Sequence, residues 1–345
     1  MLDNILTDIA SPERLGSSMV ALILVALLGM MFGPCFGNSN PCLWVVLDKI
    51  CGGLIRRSYN TARSETTLQF RGMLLLGLYV IITCIIAALA VVAEMRFHLA
   101  GFTDPLLLSC TLCGGATWHG MVKLHHALAK ALGKSKKPER GSFYEVAVST
   151  RSNLNTTDDH GIIRVAIGFL ATSYDKGLIA PLFWYLIAGL PGAYIYSGIA
   201  AARWSLSKDG FAKGIGTLAL RLETLAGFLP QIVSTPLIVL AALFTPDASM
   251  LRGVRGLFTF GKRAPYAEGG LPLTVMAWAL GVSLGGPIED KDGSVLKRAW
   301  VGPPSSSARL EQEHLRRAVY MNIMAFVLMA SIQVCLIMIW KLFSA

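Results

Sequence analysis

Residues 177–196 read GLIAPLFWYLIAGLPGAYIY, and the interpretation of the whole chain depends on this stretch. It is apolar and matches the length of about 20 residues that a helix needs to cross a bilayer. It also contains Pro181 and Pro191, and a proline inside a helix removes one backbone donor and displaces the preceding turn. The sequence Leu190-Pro191-Gly192 therefore predicts a break in the middle of a membrane-embedded segment.

Other apolar runs without a charged residue surround this stretch. Together with it they cover residues 15–47, 72–93, 105–122, 177–202, 224–246 and 318–340. The chain is 54% hydrophobic and only 15% charged, which excludes an ordinary soluble protein. We predict an all-α, polytopic integral membrane protein with about four to six membrane-embedded helices, some of them interrupted by proline and glycine. We expect residues 1–345 to form a single domain.

The charged residues lie mostly between the apolar runs. The net charge is +10, and Lys and Arg concentrate in the segments that flank the runs. This distribution follows the positive-inside rule, and anionic lipid headgroups attract such charge. We therefore expect cytoplasmic loop regions at about 123–176 and 247–317, a lipid bilayer as partner, and no nucleic acid. The polar, acidic start of the chain is unlike a cleavable signal peptide, so we expect the first span to be retained.

The charge distribution conflicts with a simple topology around the opening stretch. If residues 177–202 cross the membrane once, the basic segment that follows falls on the side opposite to the other basic loops. A break that returns the chain to its starting side removes this conflict, but it requires residues 224–246, with Pro230 and Pro236, to be broken as well. Broken backbone is tolerated at membrane depth where it is buried or lines a cavity. The alternative is two proline-kinked spans with a weak charge bias.

Four charged residues border these two proline-containing runs: Asp175, Lys176, Arg221 and Glu223. Charges at a membrane border usually anchor a helix in the interface. Charges beside a broken segment that lines a cavity are better candidates for a functional site, because ionisable groups are costly in a membrane and tend to mark function there. We predict these four residues as the catalytic candidates.

The cysteines and histidines allow two interpretations. Cys110-x-x-Cys113, followed by His119, His125 and His126, has the residue types for a metal site or for thiol chemistry. The same pattern fits small residues that pack in a helix, with histidines at an interface. The seven cysteines are odd in number and lie mostly in apolar runs, so they do not indicate a disulfide framework.

Two further motifs also have a simple structural alternative. Glu289, Asp290 and Asp292 lie close enough in sequence to hold Mg²⁺, but the same cluster is typical of a solvated turn. The sequence LGKS at 132–135 is similar to the end of a phosphate-binding loop. That motif requires a glycine where the chain has Leu128, so a basic amphipathic surface helix explains it better.

Several segments resemble one protein family. GLIAPLFWYLIAGLPGAYIY is similar to the signature DGvvAPLFyaallGlPGAlaY of the CbiB/CobD family of prokaryotic membranes. Further resemblances occur, in the family's order, at SNPCLWVVLDKICGGLIRR, AVSTRSNLN, LRLETLAGFLPQIVS, GGLPLTVMAWALGVSLGGP and AWVG. The six segments cover roughly residues 36–302. On these motifs the chain is identified as a member of the family.

The resemblance implies a function in cobalamin biosynthesis. Family members are adenosylcobinamide(-phosphate) synthases of the inner membrane, which join an aminopropanol, often as its phosphate, to a corrinoid carboxylate through an amide bond. Activation of the carboxylate implies ATP and Mg²⁺, and the corrinoid is the substrate. The resemblance adds the substrate-binding candidates Asn40, Arg71, Arg151, Pro181 and Gly192, while the ligands of any metal stay unknown.

The chain differs from the family at several acidic positions. The aspartate of the family's SDG falls on Lys176, the aspartate of TLDs on Arg203, and two glutamates on Gly168 and Thr172. Glu223 takes the place of another aspartate, while the apolar and glycine framework is kept. Two functions therefore stay open: an enzyme of the family reaction, or a catalytically degenerate paralogue that acts as a membrane sensor, a ligand-binding protein or a partner subunit, as in the AmpE-like class.

Overall fold

The computed structural model describes residues 11–58, 64–96, 101–133, 141, 143–206, 214–259, 261, 263–289 and 295–344. This part of the chain is mainly helical and contains only two-residue strands. The α-helices are α1 (Pro12–Phe32), α2 (Cys42–Ser58), α3 (Glu65–Arg96), α4 (Thr103–Ser109), α5 (Gly115–Gly133), α6 (Tyr144–Thr150), α7 (Asp159–Tyr174), α8 (Ala180–Leu206), α9 (Thr217–Ala241), α10 (Met250–Phe258), α11 (Gly270–Leu280) and α12 (Gln312–Ser344). A π-helix (Asp175–Ile179) joins α7 to α8, and a 3-10 helix (Tyr266–Glu268) precedes α11.

Five helical segments of the described chain are long and apolar enough to cross a membrane. They are α1, α3, the continuous segment from α7 to α8, α9 and α12. Together they confirm the prediction of an all-α, polytopic membrane protein.

The apolar run at residues 105–122 does not form the predicted span. It is divided between α4 and the start of α5, with non-helical residues 110–114 between them. The backbone N–H of Cys113 donates to the carbonyl of Gly177 at 2.8 Å instead of continuing a helix. Gly115 also packs so closely on α1 that an added Cβ would lie 2.2 Å from the carbonyl oxygen of Ala26. Tertiary contacts therefore interrupt a run that is apolar enough to be a single helix.

The break predicted in the opening stretch is present, at Gly189. This residue has φ 68° and ψ −159°, a backbone conformation that is essentially restricted to glycine. A Cβ on Gly192 would lie 2.4 Å from the carbonyl oxygen of Trp184. Residues with this spacing in a straight helix would be about 12 Å apart along the axis, so the chain has reversed. Residues 176–188 and 190–206 therefore form the first and second arms of a helical hairpin.

The tip of the hairpin is held by a side chain from α1. Because the helix breaks at Gly189, the last carbonyls of the first arm have no donor within their own helix. The guanidinium of Arg14 donates to the carbonyls of Leu186 and Ile187, each at 3.2 Å. Such replacement of a missing helix donor is what makes a broken helix tolerable at membrane depth.

The second proline-containing run is unbroken, which overturns the expectation that it must break as well. Pro230 and Pro236 both lie inside the continuous helix α9. Pro230 leaves the carbonyl of Ala226 without its helix donor, and the indole N–H of Trp184 donates to it at 3.0 Å. The hairpin thus supplies the group that compensates for a proline in the neighbouring helix.

The region after α9 forms a cap beside α7. Helix α10 packs on α11, and the strands pair as two short antiparallel ladders, β1 (Leu284–Gly285) with β4 (Trp300–Val301) and β2 (Ile288–Glu289) with β3 (Val295–Leu296). Strand β1 contacts α7. These elements close one side of the pocket described next.

Candidate functional site

A pocket of about 160 Å³ lies between α7, the open end of the hairpin and the cap. Its lining combines apolar residues with polar and mainly basic ones. The charged residues in it are Arg151, Arg164, Lys176, Arg203, Glu268 and Arg298. Basic side chains thus outnumber acidic ones by five to one, and we call this cavity the basic pocket. Complete ligand sites are usually about 300 Å³ or larger, so the basic pocket fits one anionic group rather than a whole large ligand.

The inner end of the basic pocket is an ion cluster that joins the two arms of the hairpin. Glu223, on α9, has no exposed side-chain surface. Its carboxylate lies 3.0 Å from Lys176 Nζ on the first arm and 3.6 Å from Arg203 Nε on the second arm. The hydroxyl of Tyr266 donates to Glu223 Oε1 at 2.9 Å. One buried carboxylate therefore pairs with two cations, and these three groups together keep a net positive charge.

Tyr266 organises this cluster from the side of the cap. Lys176 Nζ lies 4.1 Å from the centre of the Tyr266 ring, a cation–π contact. Burial and the neighbouring Glu223 raise the pKa of the Tyr266 phenol, which therefore keeps its proton and acts as a donor. Gly227 makes room for this phenol, because a Cβ there would lie 1.9 Å from the hydroxyl oxygen.

The π-helix positions Asp175 and Lys176 at the end of the pocket. It forms where Ala180 donates its N–H to the carbonyl of Asp175, five residues earlier. Pro181, the next residue, has no N–H for the carbonyl of Gly177, and Cys113 supplies the donor instead. The Asp175 carboxylate turns away from Lys176 and accepts the hydroxyl of Ser234 on α9 at 2.5 Å. Short π-helical turns within α-helices are frequent at functional sites.

One wall of the pocket is built around Arg151. This residue ends α6 in the left-handed region, with φ 55°. It forms an ion pair with Asp48, donates to the carbonyl of Ser205 at 3.1 Å, and lies 4.2 Å from the ring centre of Trp204. Asn40 reaches the same wall and donates to the carbonyl of Ser149 at 2.9 Å. Arg151 thus ties this wall of the pocket to the end of the second arm.

The outer part of the pocket carries Arg164 and Arg298. Arg164 donates to the carbonyl of Ala308 at 2.9 Å and lies 5.4 Å from the ring centre of Trp300. Burial lowers the pKa of Arg298, while the carboxylate of Glu268 opposes this shift. Burial also raises the pKa of Glu268. The Nε of Arg298 is buried and has no hydrogen-bond partner among the described residues, so it is available to a ligand.

The structure brings five of the nine predicted site residues together and leaves four outside. Lys176, Arg151 and Asn40 line the basic pocket, while Asp175 and Glu223 lie directly beneath it. Arg221 lies in a separate exposed groove with Phe70 and Met73, and Arg71 donates to the carbonyl of Ser58. Pro181 and Gly192 shape the hairpin and do not line the pocket.

Sequence reasoning missed Arg164, Arg298 and Tyr266, and it noted Arg203 only as a replaced acidic position. A signal for Arg164 was present in the sequence. Arg164, Gly168, Thr172 and Lys176 recur every four residues, so they share one face of a helix, and all four line the pocket. The cap residues Arg298 and Tyr266 give no comparable signal, because only the tertiary fold brings them to the pocket.

The cysteine and histidine motif does not form a metal site in the part of the chain that the structure describes. Among the described residues no group of three His, Cys, Asp or Glu side chains is arranged to hold a metal ion. Cys113 is buried and its thiol donates to the carbonyl of Ser173, while His119 and His125 contact the carbonyls of Met30 and Gln312. Asp290, Asp292 and the side chain of Glu289 lie outside the described structure, as do the side chains of residues 132–135.

Comparison with known proteins gives a consistent result. A family model described as CobD/Cbib protein matches residues 22–322. The "Cobalamin biosynthesis protein CobD" of Brucella anthropi is 27% identical over 268 residues, which cover 73% of this chain and 78% of that protein. The protein of the same name from Rhizobium meliloti is 30% identical over 232 residues, 65% of this chain and 68% of that protein. The protein of the same name from Klebsiella pneumoniae is 33% identical over 146 residues, which cover 41% of this chain and 44% of that protein. No solved structure matches the chain.

Proposed function

Because the chain belongs to the CobD/CbiB family, we propose that it acts in cobalamin biosynthesis as an amide-forming synthase. In this reaction the amine of an aminopropanol, free or phosphorylated, attacks an activated carboxylate of adenosylcobyric acid. A C–N bond forms, the bond from the carbonyl carbon to its activating group breaks, and the amine loses a proton. The product is adenosylcobinamide or its phosphate.

The observation that carries this proposal is the basic lining of the pocket. The reacting group of the corrinoid is a carboxylate, and the aminopropanol is also anionic when it carries a phosphate. Five basic side chains against one acidic side chain favour such a group. The cavity of about 160 Å³ admits the reacting end of a corrinoid side chain and leaves the macrocycle outside, above Arg164 and Arg298.

The pocket residues divide into binding and positioning groups. Lys176 and Arg203 face the inner end of the pocket, where an anionic group is farthest from water, and Arg164 and Arg298 bind charge near the mouth. Glu223 is a positioning residue, because both of its oxygens are already engaged by Lys176, Arg203 and Tyr266. Asn40 and Arg151 hold the wall against which the substrate lies.

ATP and Mg²⁺, which the family resemblance implies, fit this site unequally. The basic side chains suit the phosphates of ATP, which would supply the activation of the carboxylate. The lining contains one carboxylate, Glu268, and Asp175 and Glu223 are already engaged by Ser234 and by cations. Protein sites for Mg²⁺ normally use one or two available carboxylates. The described residues therefore do not fit a protein-held Mg²⁺, and we assign no step to the metal.

We propose that the protein is a multi-pass protein of the inner membrane of a prokaryotic cell. In this setting we place the mouth of the basic pocket on the cytoplasmic side, where basic residues concentrate. The lipid bilayer is the partner of the apolar helices, and a corrinoid or another small molecule is the partner of the pocket.

Complementation tests the proposal. The gene is expressed in a bacterium that lacks its own cobinamide-phosphate synthase, and cobalamin-dependent growth is measured with cobyric acid supplied. We expect growth, and we expect Lys176→Met or Arg298→Gln to lower it by about tenfold or more, the effect of losing one charged contact. Arg316→Gln is the matched control, since Arg316 is exposed and pairs with Glu313 on α12. Absence of growth with the protein present in the membrane would overturn the synthase proposal.

A second function is favoured by one specific observation. Glu223 is engaged by Lys176 and Arg203 at the inner end of the pocket, which keeps a net positive charge, and the described lining contains no carboxylate free to act as a base there. Such a site binds an anion without transforming it. The alternative is therefore a catalytically inactive membrane sensor, ligand-binding protein or partner subunit. Calorimetry with adenosylcobyric acid separates the two, because the alternative predicts binding without product even when ATP, Mg²⁺ and aminopropanol phosphate are present.

A further inference from the structure

Two cysteines lie at the ends of the loop that carries Asn40 to the basic pocket. Cys35 follows the end of α1, and Cys42 is the first residue of α2. Their sulfur atoms are 3.0 Å apart, although both thiols are free. A disulfide bond is about 2.05 Å long, so the two sulfurs need to approach by only about 1 Å.

The loop between these cysteines contacts the wall of the pocket through its backbone and side chains. The N–H of Ser39 donates to the hydroxyl of Ser149 at 2.9 Å, and the side-chain amide of Asn40 donates to the carbonyl of Ser149 at 2.9 Å. Thr117 donates to the carbonyl of Ser39 at 3.2 Å. Any covalent link across the ends of this loop therefore restrains one wall of the pocket.

The loop also has an unusual backbone. Phe36 has φ 53°, in the left-handed region that disfavours non-glycine residues, and its ring is exposed. Its backbone turn is closed by hydrogen bonds from Gly37 to Pro34 and from Asn38 to Cys35. This tight turn fixes the backbone around Cys35.

We propose that Cys35 and Cys42 form a reversible disulfide that restrains the loop at the wall of the basic pocket. The oxidant is a low-molecular-weight disulfide of the glutathione type. The Cys35 thiolate attacks one of its sulfurs and forms a mixed disulfide with it, while the other half of the oxidant leaves as a thiol. Cys42 then attacks the sulfur of Cys35 and releases the second thiol. Two protons and two electrons pass from the protein to the oxidant.

The order of these steps follows from the surroundings of Cys42. Burial and the neighbouring Cys35 raise the pKa of Cys42 to about 12, so Cys42 is a poor first nucleophile at neutral pH. The short distance between the sulfurs compensates in the second step, because a held neighbour reacts with a high effective concentration.

Peptide mapping of the full-length protein in membranes tests the bond itself. The protein is treated with oxidised glutathione, remaining thiols are alkylated, and the digest is analysed by mass spectrometry. We expect a species two hydrogen atoms lighter that joins Cys35 to Cys42 and disappears with a reducing agent. Cys35→Ser and Cys42→Ser must each abolish it, and Cys335→Ser, an exposed position on α12, must not. Alkylation of both cysteines after oxidation, or a link from either one to the nearby Cys110, would overturn the proposal.

Hydrogen exchange tests the effect on the loop and does not depend on the function of the pocket. Closing a ring of roughly eight residues limits the open states of the loop by up to about 50-fold in the chain-entropy model. We expect the amides of Ser39 and Asn40 to exchange more slowly in the oxidised protein by a factor of this order or less, and to be unaffected by the oxidant in Cys42→Ser. A disulfide that leaves their exchange unchanged would contradict the restraint on the pocket wall.

Discussion

The hairpin at 176–206 and helix α9 contain the same sequence cues, yet one reverses and the other runs straight. Both are apolar and both contain two prolines. The difference lies at Gly189, whose backbone conformation is closed to other residues, and in the guanidinium of Arg14 at the tip. Proline alone does not break a membrane helix when another group replaces the donor that it removes, as Trp184 does for Pro230.

The straight helix also holds the bent one closed. Glu223 on α9 contacts Lys176 on the first arm and Arg203 on the second arm, far from the tip at Gly189. The charged end of the basic pocket is therefore part of what keeps the two arms together. Removing these contacts one at a time measures how much the reversal depends on the cluster, the tip and the prolines.

The largest effect is expected for Glu223→Gln. The amide leaves Lys176 and Arg203 close together without a buried negative charge, and breaking a buried ion pair in this way costs about 3–5 kcal/mol. We expect the largest fall in the thermal unfolding midpoint of the protein purified in detergent. Glu313→Gln is the matched control, because it breaks a surface pair with Arg316 that is worth at most about 1 kcal/mol. Equal effects of the two variants would show that the cluster does not hold the arms together.

The reversal of the hairpin could be predicted from the sequence, but the contacts between the hairpin and α9 could not. Apolar runs and prolines are local features of the sequence. The spans and the break near Pro191 could therefore be predicted from them. That α9 stays straight depends on Trp184, which is far from Pro230 in sequence, and no local pattern contains this contact. The residues of the candidate site also differ in how far they could be predicted. Lys176 and Glu223 border apolar runs in the sequence, whereas Arg298 reaches the pocket only through the folded cap.

A smaller effect is expected for Arg14→Met at the tip of the hairpin. This change keeps an unbranched side-chain stem and removes the donors for the carbonyls of Leu186 and Ile187. Hydrogen bonds to a charged donor are worth about 1.5–3 kcal/mol, so the unfolding midpoint falls by less than in Glu223→Gln. Arg309→Met, at an exposed loop position, is the control. A midpoint equal to that of the control would mean that the tip needs no external donor.

Gly189→Ala tests the backbone of the reversal itself. The position has room for a methyl group, with the nearest atom 3.8 Å from an added Cβ, so the cost comes from the backbone conformation alone. Such strain costs about 1–3 kcal/mol. Gly77→Ala in the middle of α3, where an added Cβ meets nothing within 4 Å, should stabilise the protein slightly. If both alanines stabilise the protein, the conformation assigned to Gly189 is wrong.

The smallest effect concerns the donor that keeps α9 straight. Trp184→Phe removes the indole N–H from the carbonyl of Ala226, and a hydrogen bond of this kind within a membrane protein is worth about 0.6 kcal/mol on average. Pro230→Ala restores a backbone N–H that donates to the same carbonyl from within the helix. We therefore expect Trp184→Phe to cost clearly less in the Pro230→Ala background than in the unmodified chain.

This double-mutant cycle separates the hydrogen bond from the packing of the indole ring, because the ring is lost equally in both backgrounds. Urea unfolding in mixed micelles gives the four free energies that the cycle needs. A coupling of about 0.5 kcal/mol or more between positions 184 and 230 supports the replacement of the proline's missing donor by Trp184. A coupling of zero would mean that α9 tolerates an unpaired carbonyl at Ala226, and the straightness of this helix would then need another cause than its contact with the hairpin.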